Sequence, residues 1–431
     1  MACAGQFRCE RPAENPSQRA AALSETVLSP SLLQYRAFVM LWFMRLSSTV
    51  AYHMMVVAIG WTIYALTGDP LDLGLVGLVQ FVPTVVLTLL IGHLADRYDK
   101  RIILRLTQGG YALSAVVLLL AFWQQMLSRE LLLVIVFIIG CARAFEIPTG
   151  HAFVPALVPM DVLPRATAAW AASNQVATIT GPALGGFIYG ISPLAACAIC
   201  VLLFAASCTL TFLFRTQRPV IAREPPTLAS IFAGLHYIYT RPRLLGVISL
   251  DLFVVLLGGA TALLPVFARD ILATGPLGLG LLRSAPAVGA LLTMAWLTRH
   301  PIERRIGPIL FAVVSVFGLA TVVFALSTSF VLSLGALAVL GAADAISVVL
   351  RFTLVQIETP DAMRGRVSAI NSLFTGTSNT LGEFESGAVA AWLGAVPSVL
   401  IGGIGSIVIA LTWMGLFPAL RKVDRFEIPK D

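Results

Sequence analysis

The sequence predicts an all-α membrane protein: twelve transmembrane helices arranged as two six-helix pseudo-repeats. Three observations carry that prediction. First, 58% of the 431 residues are hydrophobic and 12% are charged, where soluble domains carry about 25% charged residues. Second, the apolar residues gather into twelve runs, each near the roughly 20 residues that a bilayer span requires. Third, residues that shape the backbone recur at a nearly constant offset. Gly140, Pro159, Arg165, Gly181 and Gly186 find counterparts 201 positions on, in Gly341, Pro360, Arg366, Gly382 and Gly387. Gly77, Pro83 and Arg101 match Gly280, Pro286 and Arg304 at an offset of 203. Glycine and proline set close approaches and bends, so these are positions at which an internal repeat persists.

The runs cover about 37–65, 73–95, 102–124, 131–155, 166–192, 194–214, 244–268, 277–298, 308–326, 329–357, 367–392 and 398–417. They are continuous rather than alternating, which favours helices over a barrel. Ser192-Pro193 barely separates the fifth and sixth. Residues 1–34 are polar, with Pro12, Pro16 and Pro30, and are expected to form a flexible cytoplasmic tail without a cleavable signal peptide. The two halves are then 35–214 and 244–418, joined by a linker at 215–243 and followed by a tail at 419–431. The linker holds Pro219, Pro225, Pro226 and five arginines. Its amphipathic stretch from Leu228 to Tyr239 is expected to lie along the membrane surface.

Basic residues mark the sides of the membrane. If both termini are cytoplasmic, 23 of the 29 lysines and arginines fall in the tails, the linker and the inner loops. Arg129, Arg269 and Arg283 fall at the outer side, and Arg45, Arg143 and Arg351 lie within spans. This asymmetry follows the positive-inside rule and predicts cytoplasmic termini. The net charge of +7 is therefore read as a topology signal, and no nucleic-acid partner is expected. Cys197 and Cys200 have metal-ligand spacing but no second pair and no histidine nearby, so small apolar packing is the expectation. Neither a metal nor a cofactor is predicted.

Between the second and third runs stands Gly92-His93-Leu94-Ala95-Asp96-Arg97-Tyr98-Asp99-Lys100-Arg101. It resembles the signature loop between helices two and three of the major facilitator superfamily, roughly Gly-x-Leu-Ala-Asp-Arg-x-Gly-Arg-Lys. Asp99 stands where the superfamily prefers glycine. Three further stretches narrow the resemblance: Gly140-Cys141-Ala142-Arg143-Ala144-Phe145-Glu146-Ile147-Pro148, Gly341-Ala342-Ala343-Asp344-Ala345 with Thr359-Pro360-Asp361-Ala362-Met363-Arg364-Gly365-Arg366-Val367, and Leu381-Gly382-Glu383-Phe384-Glu385-Ser386-Gly387. Together they resemble the enterobactin-exporter-like branch, also labelled transmembrane secretion effectors, over about residues 32 to 425. The resemblance implies parallel six-helix repeats with nested inverted units, a substrate site near the midplane, and alternating access by rocking of the halves.

The resemblance also assigns roles. Asp96 is expected to face the amino end of the eleventh helix in one state, and Lys100 to reach an acid after the fourth, here Asp161. Gly92, Asp96, Arg97, Lys100, Arg101 and Asp161 are thus expected to form a gating loop. A carboxylate is favoured at a helix amino end, and a charge network present in one conformation biases a two-state equilibrium. The second-half counterpart is degenerate, with Arg299 where Asp96 would align. Gly181-Pro182-Ala183-Leu184-Gly185-Gly186 resembles the Gly-Pro-x-x-Gly-Gly stretch of proton-coupled exporters, with Ala177 where that pattern opens on glycine. Gly181, Pro182, Gly185 and Gly186 are expected to bring helix five close to its neighbours and to bend it.

Ionisable groups within spans are costly and usually face a cavity. Arg143 and Glu146 are three residues apart and share a helix face, with Arg143 about 18 Å from the outer end of its span. Asp344 and Arg351 share another face. Arg45 and Asp251 lie about 10 Å inside their spans. Glu383 and Glu385 point roughly 200° apart, so they cannot both line one cavity. These eight residues are the candidates for proton coupling or substrate contact. Glu146 leads, because burial and a nearby arginine act in opposite senses on a carboxyl.

The expected function is a proton-coupled exporter of the bacterial inner membrane, carrying a small amphipathic or siderophore-like molecule. A facilitator or importer of the same fold and a non-transporting sensor remain alternatives. An intramembrane enzyme is disfavoured: His-Glu-x-x-His and Gly-x-Ser-x-Gly are absent, and the five histidines are scattered. No phosphate-binding Gly-x-x-x-x-Gly-Lys-Ser/Thr run is present, so ATP is not expected to drive the cycle in cis. The mixed charges select neither a substrate charge nor an oligomeric state.

Overall fold

A computed structural model describes residues 32–94, 99–213 and 228–426. Twelve long helices cross one another as expected for the membrane. The first six are α1 (Arg36–Thr67), α2 (Pro70–Leu94), α3 (Lys100–Trp123), α4 (Arg129–Leu157), α5 (Leu163–Ile191) and α6 (Pro193–Leu213). A short linker helix, Leu228–Thr240, precedes the second six. These are α7 (Pro242–Leu257), α8 (Gly275–Leu297), α9 (Ile306–Leu326), α10 (Phe330–Glu358), α11 (Asp361–Leu393) and α12 (Ala395–Leu416). Among the described residues, nine helical segments are long and apolar enough to cross a membrane by composition, the seventh running on to Ile271. The other three, α2, α5 and α11, all lie on the interface between the halves.

Local chemistry sets the ends. Asp99 is the N-cap of α3, its side chain accepting from the Arg101 backbone N–H at 2.9 Å, a favoured use of aspartate. That accounts for a carboxylate where the superfamily prefers glycine. Ser128 caps α4 in the same manner, accepting from the Leu131 N–H. Ser192 is extended, at φ −158° and ψ 118°, and Pro193 opens α6, where its missing N–H is harmless.

The repeat is visible in packing. α1 packs on α5 and α6, α2 on α4, and α3 on α4 and α6. In the second six, α7 packs on α11 and α12, α8 on α10, and α9 on α10 and α12. The offset glycines occupy equivalent crossings. Gly140 of α4 lies against Gln80 and Pro83 of α2, and Gly341 of α10 lies against Pro286 of α8. Within a bilayer, where lipid is as apolar as leucine, such close backbone approach supplies much of the helix association.

The halves meet through α5 on α8 and α2 on α11. Both contacts are tightest away from the chain termini. Gly186 meets Gly280, and Gly387 meets Gly74 with a Cβ position 2.7 Å from the Gly74 Cα. At this end one buried apolar cluster runs through both halves, joining Met55, Ile63 and Leu132 with Leu264, Phe267 and Phe324. Toward the terminal end the core divides. Phe38, Met44, Leu104, Phe153 and Val158 form one cluster, and Leu244, Phe311, Leu354 and Ile370 form another. From Leu291 to Trp296 nearly every residue of α8 is exposed. The halves are therefore joined at one end and parted at the other.

The linker helix packs on α11 and α7, with Ile238 buried. Residues 1–31, 214–227 and 427–431 lie outside the described residues, as do Asp96 and Arg97 of the gating loop. Gly92 falls in the last turn of α2, Lys100 and Arg101 open α3, and Asp161 is exposed in the turn between α4 and α5.

Candidate transport site

A cavity of about 330 Å³ lies between the halves. Gln175 and Thr178 of α5 line one side; Asp251 of α7, Asp344 and Arg351 of α10, and Glu383 of α11 line the other. The volume is at the small end of ordinary ligand sites.

Each half holds a charge cluster, and that of the second half is on the cavity wall. In the first half, Arg45 donates to Glu146 Oε1 at 2.9 Å, and Tyr111 donates to Glu146 Oε2 at 2.9 Å. Glu146 is only 4% exposed, so both oxygens exchange water for directed partners. Arg45 also reaches Asn174 at 3.4 Å and lies over the Trp170 ring. Glu146 is paired by Arg45 of α1 and not by Arg143, which shares its helix face. The Arg143 guanidinium sits 4.2 Å over the Tyr52 ring, a cation–π arrangement, and Gln80 holds the Tyr52 hydroxyl at 2.8 Å. Sharing a helix face brought the two residues level; the neighbouring helices decided the partners. Tyr111→Phe should lower the thermal midpoint by the equivalent of about 1.5–3 kcal/mol, the worth of a hydrogen bond to a charged group. A midpoint equal to wild type in detergent would show that Arg45 alone holds Glu146.

In the second half, Arg351 contacts Asp251 and lies 3.7 Å from Asp344. Thr375 of α11 donates to the other Asp251 oxygen at 2.9 Å, and Arg351 Nε donates to the Ser347 carbonyl. Asp344 is half-exposed toward the cavity. Glu383 reaches the cavity, whereas Glu385 contacts Ser386 at 3.5 Å and does not line it.

Several site features were not read from the sequence. α7 stops at Leu257 and continues as a 3₁₀ segment, Gly259–Leu263, and a π-turn, Phe267–Ile271. Gly258 and Gly259 bring this break to the cavity wall, with Gly259 pressed on the Gly382 carbonyl of α11. The Gly258-Gly259 pair was the available signal. Helix breaks at membrane depth are tolerated where they line a cavity. At the joined end, Tyr64 donates to Asp270 and Arg269 donates to the Tyr64 carbonyl at 2.9 Å, tying the halves together. Asp72, buried, pairs with Arg129 at 2.6 Å. Gln175 and Ser284 add hydrogen bonds between α5 and α8. Among the described residues no group of three or more potential metal ligands occurs.

The family model for transmembrane secretion effectors matches residues 26–430. The chain belongs to this family of major facilitator transporters. It is 28% identical over 412 residues to the enterobactin exporter EntS of Citrobacter koseri, covering 92% of this chain and 95% of that protein. An Escherichia coli enterobactin exporter is 26% identical, with 77% and 80% covered. Among solved structures, a variant of the nucleoside transporter NupG superposes with a TM-score of 0.71 at 16% identity, covering 88% of this chain and all of that one. A bacterial homologue of the iron transporter ferroportin, in its inward-facing state, gives 0.67 at 16% identity, covering 89% and 99%. At these identities the structures establish the fold. This membrane transporter therefore has the twelve-helix, two-repeat major facilitator architecture.

Proposed function

We propose that this transporter exports a small amphipathic or siderophore-like molecule across the bacterial inner membrane in exchange for protons. The observation that carries the export direction is the likeness to enterobactin exporters over 92% of the chain. Proton exchange is supported by three carboxylates that line the cavity, Asp251, Asp344 and Glu383, and by a fourth, Glu146, buried within the first half. Intramembrane carboxyls commonly serve as relays. In this reading the termini are cytoplasmic, the joined end faces outward, and the parted end is the cytoplasmic mouth through which an exporter loads. The loop holding Asp96, Arg97, Lys100 and Arg101 biases the equilibrium between this state and its outward-open counterpart.

Inside-out vesicles test the function. An acidified lumen should drive accumulation of enterobactin, and collapse of the gradient should release it. Accumulation that is indifferent to the gradient would refute proton exchange; no uptake under any gradient would refute this substrate class.

Orientation has its own test. On a background with the native cysteines replaced, Asp69→Cys should react with an impermeant thiol reagent in whole cells, and Glu303→Cys should not. Both positions are exposed, one beside the joined end and one in the turn after α8. The reverse labelling pattern would invert the topology and with it the assigned mouth.

A further inference from the structure

We infer that Glu383 is the carboxyl through which proton binding is linked to the movement of the two halves. This rests on the proton-exchange reading above and names the residue that performs it.

A coupling carboxyl must sit in different surroundings in the two access states. Rigid rocking of the halves preserves distances within a half and changes those between halves. Glu146 has its partners, Arg45 and Tyr111, in its own half. Asp251 has Arg351 and Thr375, and Asp344 has Arg351, all in theirs. Asp72 pairs with Arg129 and Glu358 with Arg243, again within a half. Rocking leaves each of these pairs intact.

Glu383 differs. It belongs to α11 of the second half, yet its side chain packs on α2 of the first. A β-carbon at Gly77 would lie 2.8 Å from Glu383 Oε2 and 3.3 Å from its Cβ. A side chain at that position would displace the carboxyl from where it rests. Gly74 and Gly387, one turn further out on the same two helices, form the close crossing of the joined end. Separation of α2 from α11 at that end therefore uncovers Glu383 directly.

The charges around Glu383 come from both halves. Arg143 acts on it from α4 and Arg283 from α8. Asp344 and Arg351 of α10 line the same cavity. Asp251 of α7 meets α11 at Thr375, about 12 Å along the helix. α2 contributes Gly77 without charge, and α12 carries no ionisable residue. Glu385 on α11 itself does not line the cavity. When the halves part, Glu383 retains Arg283 and loses Gly77 and the Arg143 side. Both burial and neighbouring charge set a carboxyl's proton affinity, and both change together for this residue. Among the described residues Asp270, bonded to Tyr64, is another acid at a contact between halves. It does not line the cavity, so substrate cannot sense its state there.

The experiment measures conformation and flux in parallel. Spin labels at Asp69→Cys and Trp392→Cys, on a background without native cysteines, report separation of the outer ends in nanodiscs. The outer-open population should change several-fold between about pH 5 and pH 8 with Glu383 present. Glu383→Gln should flatten that response, and Glu383→Asp should retain most of it. In vesicles a one-unit pH gradient supports at most about tenfold accumulation per exchanged proton, and Glu383→Gln should reduce this to none. Suppose the protein with Glu383 responds to pH and Glu383→Gln responds equally, or Glu146→Gln alone flattens the response. Then the assignment to Glu383 is overturned while proton exchange stands. If Glu383-containing protein shows neither a pH-dependent population nor gradient-dependent flux, proton exchange itself falls.

Discussion

Arg351→Ala should abolish transport and sharply lower the yield of folded protein. Arg351 is 9% exposed and sits between two carboxylates, Asp251 and Asp344. Removing it leaves Asp251, 8% exposed, facing a low-dielectric interior with one threonine donor. Loss of one partner of a buried ion pair costs about 3–5 kcal/mol, because the remaining charge is unpaired. A second variant separates folding from function. Arg351→Met combined with Asp251→Asn and Asp344→Asn carries no charge at all, so most of the thermal midpoint should return while transport stays absent. Thermal midpoints in detergent and vesicle flux read the two effects. A wild-type midpoint for Arg351→Ala would show that the cluster contributes nothing to the fold.

Gly186→Val should lower transport by more than about tenfold while leaving the folded yield near wild type, since branched side chains at a backbone contact force the helices apart. Gly186 lies against the Pro276 carbonyl, and a β-carbon there would be 2.8 Å from the Gly280 Cα. This crossing joins the halves, so its loss moves them without unpacking either. The outer ends should then stand apart, seen as a longer distance between labels at Asp69 and Trp392. Gly341→Val makes the contrast. Its neighbour, Pro286, lies in the same half, and overpacking there should reduce folding itself. Normal flux through Gly186→Val would mean that the joined end need not close during the cycle.

Span positions were legible because hydropathy is a property of about 20 consecutive residues. The structure places helices at 36–67, 163–191 and 361–393, where the sequence predicted about 37–65, 166–192 and 367–392. Most of these ends agree within three residues; the exception is the start of α11, where the largely polar stretch Asp361 to Arg366 precedes the apolar run and hydropathy does not count it. The repeat was legible for a related reason: Gly140 and Gly341 each fill a crossing that excludes a side chain, so the residue type survives where apolar residues interchange.

Pairing was not legible. Arg143 and Glu146 are three apart, and spacing alone makes them neighbours. Glu146 instead meets Arg45, 101 residues away in sequence, and Arg143 turns to Tyr52. The Tyr64–Asp270 tie and the Glu383–Gly77 contact were likewise absent from any local pattern, and of the α7 break only the Gly258-Gly259 pair gave a sign.

The sequence by itself determined the class, the number and order of spans, the two-fold repeat and which ionisable residues lie at membrane depth. Each is written in composition or in spacing along one chain. Only the tertiary structure decided which of those charges pair within a half and which one, Glu383, rests on the other half. That depends on the crossing of helices distant in sequence, where a shift of one glycine contact re-aims a side chain by several ångströms, about one helical turn.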